Sequence, residues 1–378
     1  MGSVTLLFSA FCVLSVFRVL SSGFWILDSS FILPSMNLRF WATSATSAQD
    51  VGLDGSLPSG QSKGPVIVLL LLPSLFTELL SSSMQPGVYL FLSPVVVTMY
   101  GVGAILVREL TIRWGKGWPT VLVLGFAYGL CEEGLILKTC FDPRNSGGYG
   151  RWLGVNWVWT QNMNLWHAVF SIAIPILFTH LMFPARQRQQ WVSSKWLVIL
   201  AGLFAANGGF INLVLAKVHP SPMVYPSLLL AIGGLILIGR RLPRTMPGLH
   251  NGAWRPARPL WFFLVGLFAT PFYYIVPSAV ERLGAPPLLT LLATLAYVAI
   301  IGWIIVLISG RGNGSPLHQF ALASGAYGLY IIGSPVAPAW VFLATRHVDH
   351  IAVQTVFGAA AAIFLYWLGR RIHRYQAA

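Results

Sequence analysis

Ten runs of apolar residues, at 65–82, 88–107, 118–137, 165–184, 196–216, 224–239, 260–278, 287–309, 318–335 and 351–369, recur along the chain with short polar breaks between them. Each is close to the length that crosses about 30 Å of hydrocarbon as a helix rising about 1.5 Å per residue. The pattern predicts an all-α polytopic transmembrane bundle of about ten spans. An eleventh run, 4–22, precedes a Ser-, Gly- and Asp-rich stretch from 42 to 64 that reads as a flexible linker. This run lacks a basic leading segment and carries Arg18 near its far end. An extra helix, a signal segment and a start upstream of a natural Met36 all stay open for it. The chain then divides into an N-terminal part (1–64), a first set of membrane helices (65–223) and a second set (224–378).

Composition agrees with the pattern. The 378 residues are 56% hydrophobic and 9% charged, whereas a soluble domain needs roughly a quarter charged residues to build its surface. A net charge of +14 would point to nucleic acid in a soluble protein. Here the basic residues lie mainly between apolar runs, and no aromatic-interleaved basic stretch occurs, so nucleic acid is rejected as a partner. Alternate loops carry 16 and 6 Lys and Arg. By the positive-inside rule this places the C-terminus and the Arg-rich 240–258 loop in the cytoplasm, against anionic headgroups, most naturally of a bacterial plasma membrane. Cys131 and Cys140 stand nine residues apart. On one helix that spacing is too wide for a disulfide.

Charge inside the apolar runs changes the picture most. Of ten acidic residues, three fall within spans: Glu78, Glu132 and Glu133. An ionisable side chain in hydrocarbon costs several kcal/mol unless paired or neutralised, so its default meaning is functional. Glu78 lies toward the outer end of the first span and Glu132–Glu133 toward the outer end of the third. His167 opens the fourth span from that side, and Asn212 and His219 occupy the outer end of the fifth. Four helices thus bring carboxylates and imidazoles to one depth. Adjacent glutamates on a helix point about 100° apart, so the two are not expected to serve one atom equally. One can face a cavity while the other meets a cation such as Lys138. A glutamate set between burial and a nearby cation suits general acid–base work or proton carriage. A divalent metal held by the Glu/His group is a further option, although the spacing is scattered. Buried Glu–His pairs also serve as glue between helices.

Other features have blander readings. Glu109 and Arg113, four apart, form a local ion pair at a helix end. His180 is a packing residue, and Cys131 a small hydrophobe rather than a nucleophile. The long connection 138–164, with Phe141, Tyr149, Trp152, Trp157 and Trp159, is either an aromatic belt at the headgroups or a lid over a site. Residues 127–134 (AYGLCEEG) and 326–333 (AYGLYIIG) agree at five of eight positions. Chance accounts for this best, and small residues packing helices closely give the same pattern.

With Glu132–Glu133 in one membrane helix and His167 following, the chain resembles the CAAX-protease and bacteriocin-processing family of intramembrane proteases. That family pairs two glutamates with an arginine a turn later and histidines on subsequent helices. The arginine position falls on Leu137 with Lys138 beyond, Met163 stands where a phenylalanine belongs, and Met223 where an Asn or Asp follows His219. The resemblance implies glutamate-activated water attacking a peptide bond, with histidines polarising the carbonyl or binding metal. The segments 115–119 and 154–159 also resemble uncharacterised bacterial polytopic membrane proteins. Three functions stay open: an intramembrane hydrolase using Glu132, Glu133, His167 and His219; a proton- or cation-coupled permease for which Glu78 and the Glu132–Glu133 pair are sites; and a scaffold. The substrate, protein or lipid, is not specified.

Overall fold

The computed structural model describes residues 63–81, 84, 86–244, 256–309, 315–345 and 349–377. The N-terminal run and linker lie outside these residues. Ten helical rods follow one another: α1 (Gly64–Leu80), α2 (Pro86–Arg113), α3 (Trp118–Ile136), α4 (Trp157–Met182), α5 (Ser194–Leu215), α6 (Val224–Arg241), α7 (Pro259–Arg282), α8 (Pro287–Ser309), α9 (Pro316–Thr345) and α10 (Asp349–Ala377). The rods α2 to α8 are each at least 18 residues long and apolar enough to cross a membrane, and α1 is a shorter apolar helix. This is the all-α polytopic bundle that the apolar runs predict.

Local chemistry sets the rod ends. Proline occupies the first turns of α1, α3 and α7, where its missing N–H has no intrahelical acceptor to lose. The Asn156 side chain caps α4 by accepting from the Trp159 N–H at 3.1 Å, and Ser193 caps α5 by accepting from the Trp196 N–H at 3.4 Å. The cap at Asn156 corrects one boundary. The fourth span begins at Trp157 rather than near residue 165, so Trp157 and Trp159 are helical and His167 sits ten residues into the rod. A two-stranded hairpin (β1 Arg151–Trp152, β2 Val155–Asn156) precedes it. The connection is a bonded cap: the Tyr149 hydroxyl lies 2.7 Å from both the Ala285 carbonyl and Thr290 Oγ1 at the α7–α8 turn.

Five rods change register. α1 becomes π-helical at Leu75–Leu80, α2 at Thr98–Val102, α3 at Cys131–Ile136, α4 at His167–Ala173 and α5 at Ile211–Leu215. Among the described residues, every π-helical stretch lies in these first five rods. The wider i→i+5 register leaves carbonyls off the regular ladder, and in a bilayer each needs an internal donor. Neighbouring rods supply them. Tyr128 donates to the Met99 carbonyl at 3.4 Å, Asn212 to Leu135 at 2.5 Å, Tyr327 to Phe170 at 2.7 Å and Lys138 to Asn212 at 3.0 Å.

At the C-terminal end of α2, Arg108 is buried rather than in a polar loop. It pairs with Glu109 at 2.5 Å, donates to the Arg186 and Gln187 carbonyls and stacks 3.6 Å over Trp191. Glu109 also accepts from the Trp191 N–H at 3.0 Å and lies 3.7 Å from Arg113. The Glu109–Arg113 pair is thus the weaker part of a larger cluster. His180 packs beneath it as an acceptor for Arg108, edge-on to Trp118 and Trp191.

Two contacts join the later rods to the earlier ones. Phe76 of α1 meets Tyr327 of α9 edge-to-face at 4.6 Å, and Phe178 of α4 and Phe364 of α10 complete the cluster. α7 and α9 cross with their backbones almost touching. A Cβ on Gly325 would meet the Phe263 carbonyl oxygen at 2.0 Å, and one on Gly266 would meet that of Leu322 at 2.2 Å. Gly129 and Gly328, matching positions in the two similar segments, both face a neighbouring rod closely, as small-residue packing requires.

Gly325→Val is therefore expected to force α7 from α9 and destabilise the protein by about 1–3 kcal/mol or more. The thermal midpoint of the purified protein in detergent should fall by several degrees, whereas Gly202→Val, on an open face of α5, should leave it nearly unchanged.

Candidate acid–base site

The register changes deliver the ionisable residues. Glu78, Tyr100, the pair Glu132–Glu133, His167 with Ser171, and Asn212 lie in the π-helical stretches of α1 to α5 respectively. π-Helical turns recur at functional sites because they swing side chains off the regular spiral. Gly129, three and four residues before the glutamates, lets α3 and α4 close together. A Cβ there would lie 2.9 Å from Asn164 Oδ1 and 3.1 Å from the His167 Cβ.

The centre is one imidazole between two carboxylates. His167 Nε2 lies 2.9 Å from Glu133 Oε1, and His167 Nδ1 lies 3.3 Å from Glu132 Oε2 and 2.9 Å from Ser171 Oγ. The ring is 1% exposed and Glu132 0%, so no solvent screens the three groups. The glutamates thus serve different atoms of one ring, in keeping with their angular separation. Ser171 is reached in turn by Thr77 at 3.3 Å. On the other side Thr139 donates to Glu133 Oε2, and Trp159 Nε1 donates to Thr139 Oγ1 at 3.1 Å. A chain of hydrogen bonds therefore runs from α1 through His167 and Glu133 to the first turn of α4.

Glu133 is fully engaged by His167 and Thr139. Glu132 is held more loosely: neither buried oxygen has a partner in full hydrogen-bonding geometry. The close imidazole nitrogen is shared with Ser171, and the Tyr100 and Tyr128 hydroxyls are the other groups that reach toward it. Unmade hydrogen bonds at a buried carboxylate are costly, so Glu132 keeps acceptor capacity that packing has not used. Tyr100 stands between Glu132 and Glu78, close enough to interact with both, and its ring stacks 6.2 Å from that of His167. Glu78, 8% exposed, thereby joins the edge of the cluster.

Charge balance constrains the protons. When His167 is neutral and donates from Nε2 to Glu133, its Nδ1 lone pair accepts from Ser171 and faces Glu132. Two lone pairs then oppose each other unless Glu132 carries a proton. When the ring is an imidazolium, both nitrogens donate and both carboxylates can be charged. Either way, a proton on Glu132 and a proton on His167 are exchangeable across 3.3 Å.

Two residues expected here stand elsewhere. Lys138 does not meet a glutamate. The chain turns at Lys138 through a left-handed conformation (φ 63°) and its ammonium crosses to the Asn212 carbonyl. Asn212 in turn ties α5 to α3 through Leu135, so both are braces of the centre rather than members. His219 is exposed in the connection after α5 and bonds with no other described residue. It lies on the polar connection because the rod ends at Leu215, short of its position. Among the described residues no group of three or more His, Cys, Asp and Glu is arranged to hold a metal ion. Thr77, Tyr100, Thr139 and Ser171 are participants that the sequence does not single out, although Ser171 stands four residues after His167 within an apolar run. Trp159 stands out there only as one aromatic of the long connection, a belt or a lid.

The chain belongs to the uncharacterized membrane protein family, whose model matches residues 67–369. The match spans α1 to α10 and includes every member of the centre. No curated protein and no solved structure matches the chain.

Removing the imidazole leaves two carboxylates buried side by side. His167→Ala is expected to destabilise the protein by about 3–5 kcal/mol. Glu133→Gln keeps an acceptor for Thr139 and should cost only about 1 kcal/mol. Thermal unfolding of both variants in the same detergent checks the order; equal losses would mean the carboxylates lean on something other than His167.

Proposed function

We propose that this membrane protein is an intramembrane hydrolase in which Glu132 is the general base, His167 the proton carrier and Glu133 the group that orients the imidazole. One observation carries the reading. A buried imidazole is bridged by two glutamates, of which one is saturated by hydrogen bonds and the other is held loosely, with only the Tyr100 and Tyr128 hydroxyls reaching toward it besides the ring. That division matches the logic of a base held in place by a third group. In this scheme Glu132 takes a proton from the attacking water as the nucleophile adds to a carbonyl carbon. His167, steadied by Glu133, delivers a proton to the leaving group.

The family that matches is the uncharacterized membrane protein family and not the CAAX-protease and bacteriocin-processing enzymes, so the assignment rests on the direct Glu133–His167 contact rather than on that resemblance. His219 has no part in it. The excess of basic residues in alternate loops supports a cytoplasmic C-terminus and, with it, a centre in the outer half of a bacterial plasma membrane. The substrate is a protein or lipid that enters from the bilayer.

Proton-coupled transport is the second reading. It is favoured by Glu78 and Tyr100, which extend the line of titratable groups beyond the bridged ring, and by the irregular helix beside each acid.

Membranes from cells producing the wild type, Glu132→Gln, Glu133→Gln and His219→Ala separate the readings. New peptide N-termini and lipid hydrolysis products should fall by about 10²-fold or more in Glu132→Gln, fall in Glu133→Gln and stay at wild-type level in His219→Ala. Unchanged products in Glu132→Gln, together with a Glu132-dependent proton flux in reconstituted vesicles, would replace hydrolysis by transport.

A further inference from the structure

Behind the centre, on the far side of α4, lies a cavity of about 140 Å³ between α4, α7, α8 and α9. We infer that it is a binding site for the hydrocarbon chain of a bilayer lipid. The inference does not depend on the reaction assigned to the bridged imidazole.

The wall is carbon, with Trp166 and Phe170 on α4, Ala269 on α7, Val298 and Ile301 on α8 and Ala323 on α9. The hydroxyls that reach this wall are turned into the protein. Thr270 donates to the Ala326 carbonyl at 2.8 Å, Tyr297 to Ala269 at 2.6 Å and Tyr273 to Asn162 at 2.5 Å. The indole N–H of Trp166 likewise points away, to the Tyr330 hydroxyl at 2.8 Å. A polar ligand would forfeit its hydrogen bonds with water and find these groups already engaged, which excludes it on desolvation alone. An apolar ligand loses nothing. An apolar cavity of about 150 Å³ is known to stay dry and to accept a benzene-sized molecule, so this one accommodates the end of a chain rather than a whole lipid.

The source of such a chain is immediate. The outer faces of α7 and α8 present Phe268, Phe272, Leu292 and Ile300, all exposed, and in a membrane those faces are bathed in acyl chains. The cavity also adjoins the centre. Trp166 and Phe170 stack 5.7 Å apart on the wall, while His167 and Ser171, the next residue after each, point about 100° further round the rod toward the centre. The Trp166 ring meets the His167 ring edge-on at 5.2 Å. A chain in the cavity thus packs against the backbone that holds the imidazole.

The test uses the full chain in nanodiscs made with a phosphatidylcholine carrying a diazirine near the end of one acyl chain. After illumination, adducts should map to wall residues such as Trp166 and Phe170 as well as to the lipid-facing Phe268 and Phe272. Ala269→Phe and Val298→Phe each fill the cavity from a different helix. Excluding even two methylenes should lower wall adducts about tenfold, with adducts at Phe268 and Phe272 unchanged as the measure of a folded, embedded protein. Wall adducts absent from the wild type, or undiminished in both filled variants, would overturn the assignment. If one variant fails to fold, as read by its thermal transition, the other decides.

Discussion

A bilayer offers no water to a carbonyl that leaves its helical ladder, and the first half of this bundle is organised around that constraint. Each of its rods takes up the π register for a turn or more, and in α2 to α5 a carbonyl there is met by a side chain from elsewhere in the bundle. In α1, Ser81 and the Met84 N–H, just beyond the rod, meet the Thr77 and Glu78 carbonyls. The braces are reciprocal: Asn212 donates to α3 from α5, and Lys138 at the end of α3 donates back to the carbonyl of the same Asn212. Such bonds are worth about 1 kcal/mol or less each inside a membrane. Their larger effect is to make the irregular turns mutually dependent, so that one cannot relax without orphaning a group on its neighbour.

What the irregularity obtains is convergence of charge. Regular helices carry adjacent glutamates to positions about 100° apart, and here that separation is spanned by a single ring whose two nitrogens meet one carboxylate each. Burying two carboxylates is tolerable only with a shared proton or a cation between them, and the imidazole provides both possibilities. Among the described residues, the later rods contribute no charged side chain to this centre. Their contact is aromatic and steric, through Tyr327 against Phe76 and Phe170 and through the close crossing of α7 and α9.

Much of this was legible in the sequence. Apolar run lengths predict the ten rods, and an acid inside such a run is so costly that Glu78, Glu132 and Glu133 stand out, with His167, Asn212 and His219 at a similar depth; that depth alone does not tell which of them converge. Three things were not legible. The first turns of α4 are polar (Thr160, Gln161, Asn162, Asn164), so the apolar run begins near residue 165 and His167 looks like the start of its span although the helix begins at Trp157, and the π register that carries it has no residue signature. The left-handed turn at Lys138 reverses the expected direction of its side chain, so a cation five and six residues from two acids pairs with neither. His219 lies at a plausible distance along the chain, but the early end of α5 leaves it in the connection. Neutral partners such as Thr139, Ser171 and Tyr100 are common in membrane helices, and only their packing distinguishes them.

The bridged imidazole is the claim on which everything else rests, and solid-state NMR in lipid reads it directly. With ¹⁵N-histidine and ¹³C-carboxyl-labelled glutamate, His167 should show strong dipolar coupling from Nε2 to the Glu133 carboxyl carbon and from Nδ1 to that of Glu132, each at roughly the range of a hydrogen-bonded or close ion pair. Coupling from only one ring nitrogen, or from neither, would contradict the bridge and with it the assignment of Glu132 as the free base.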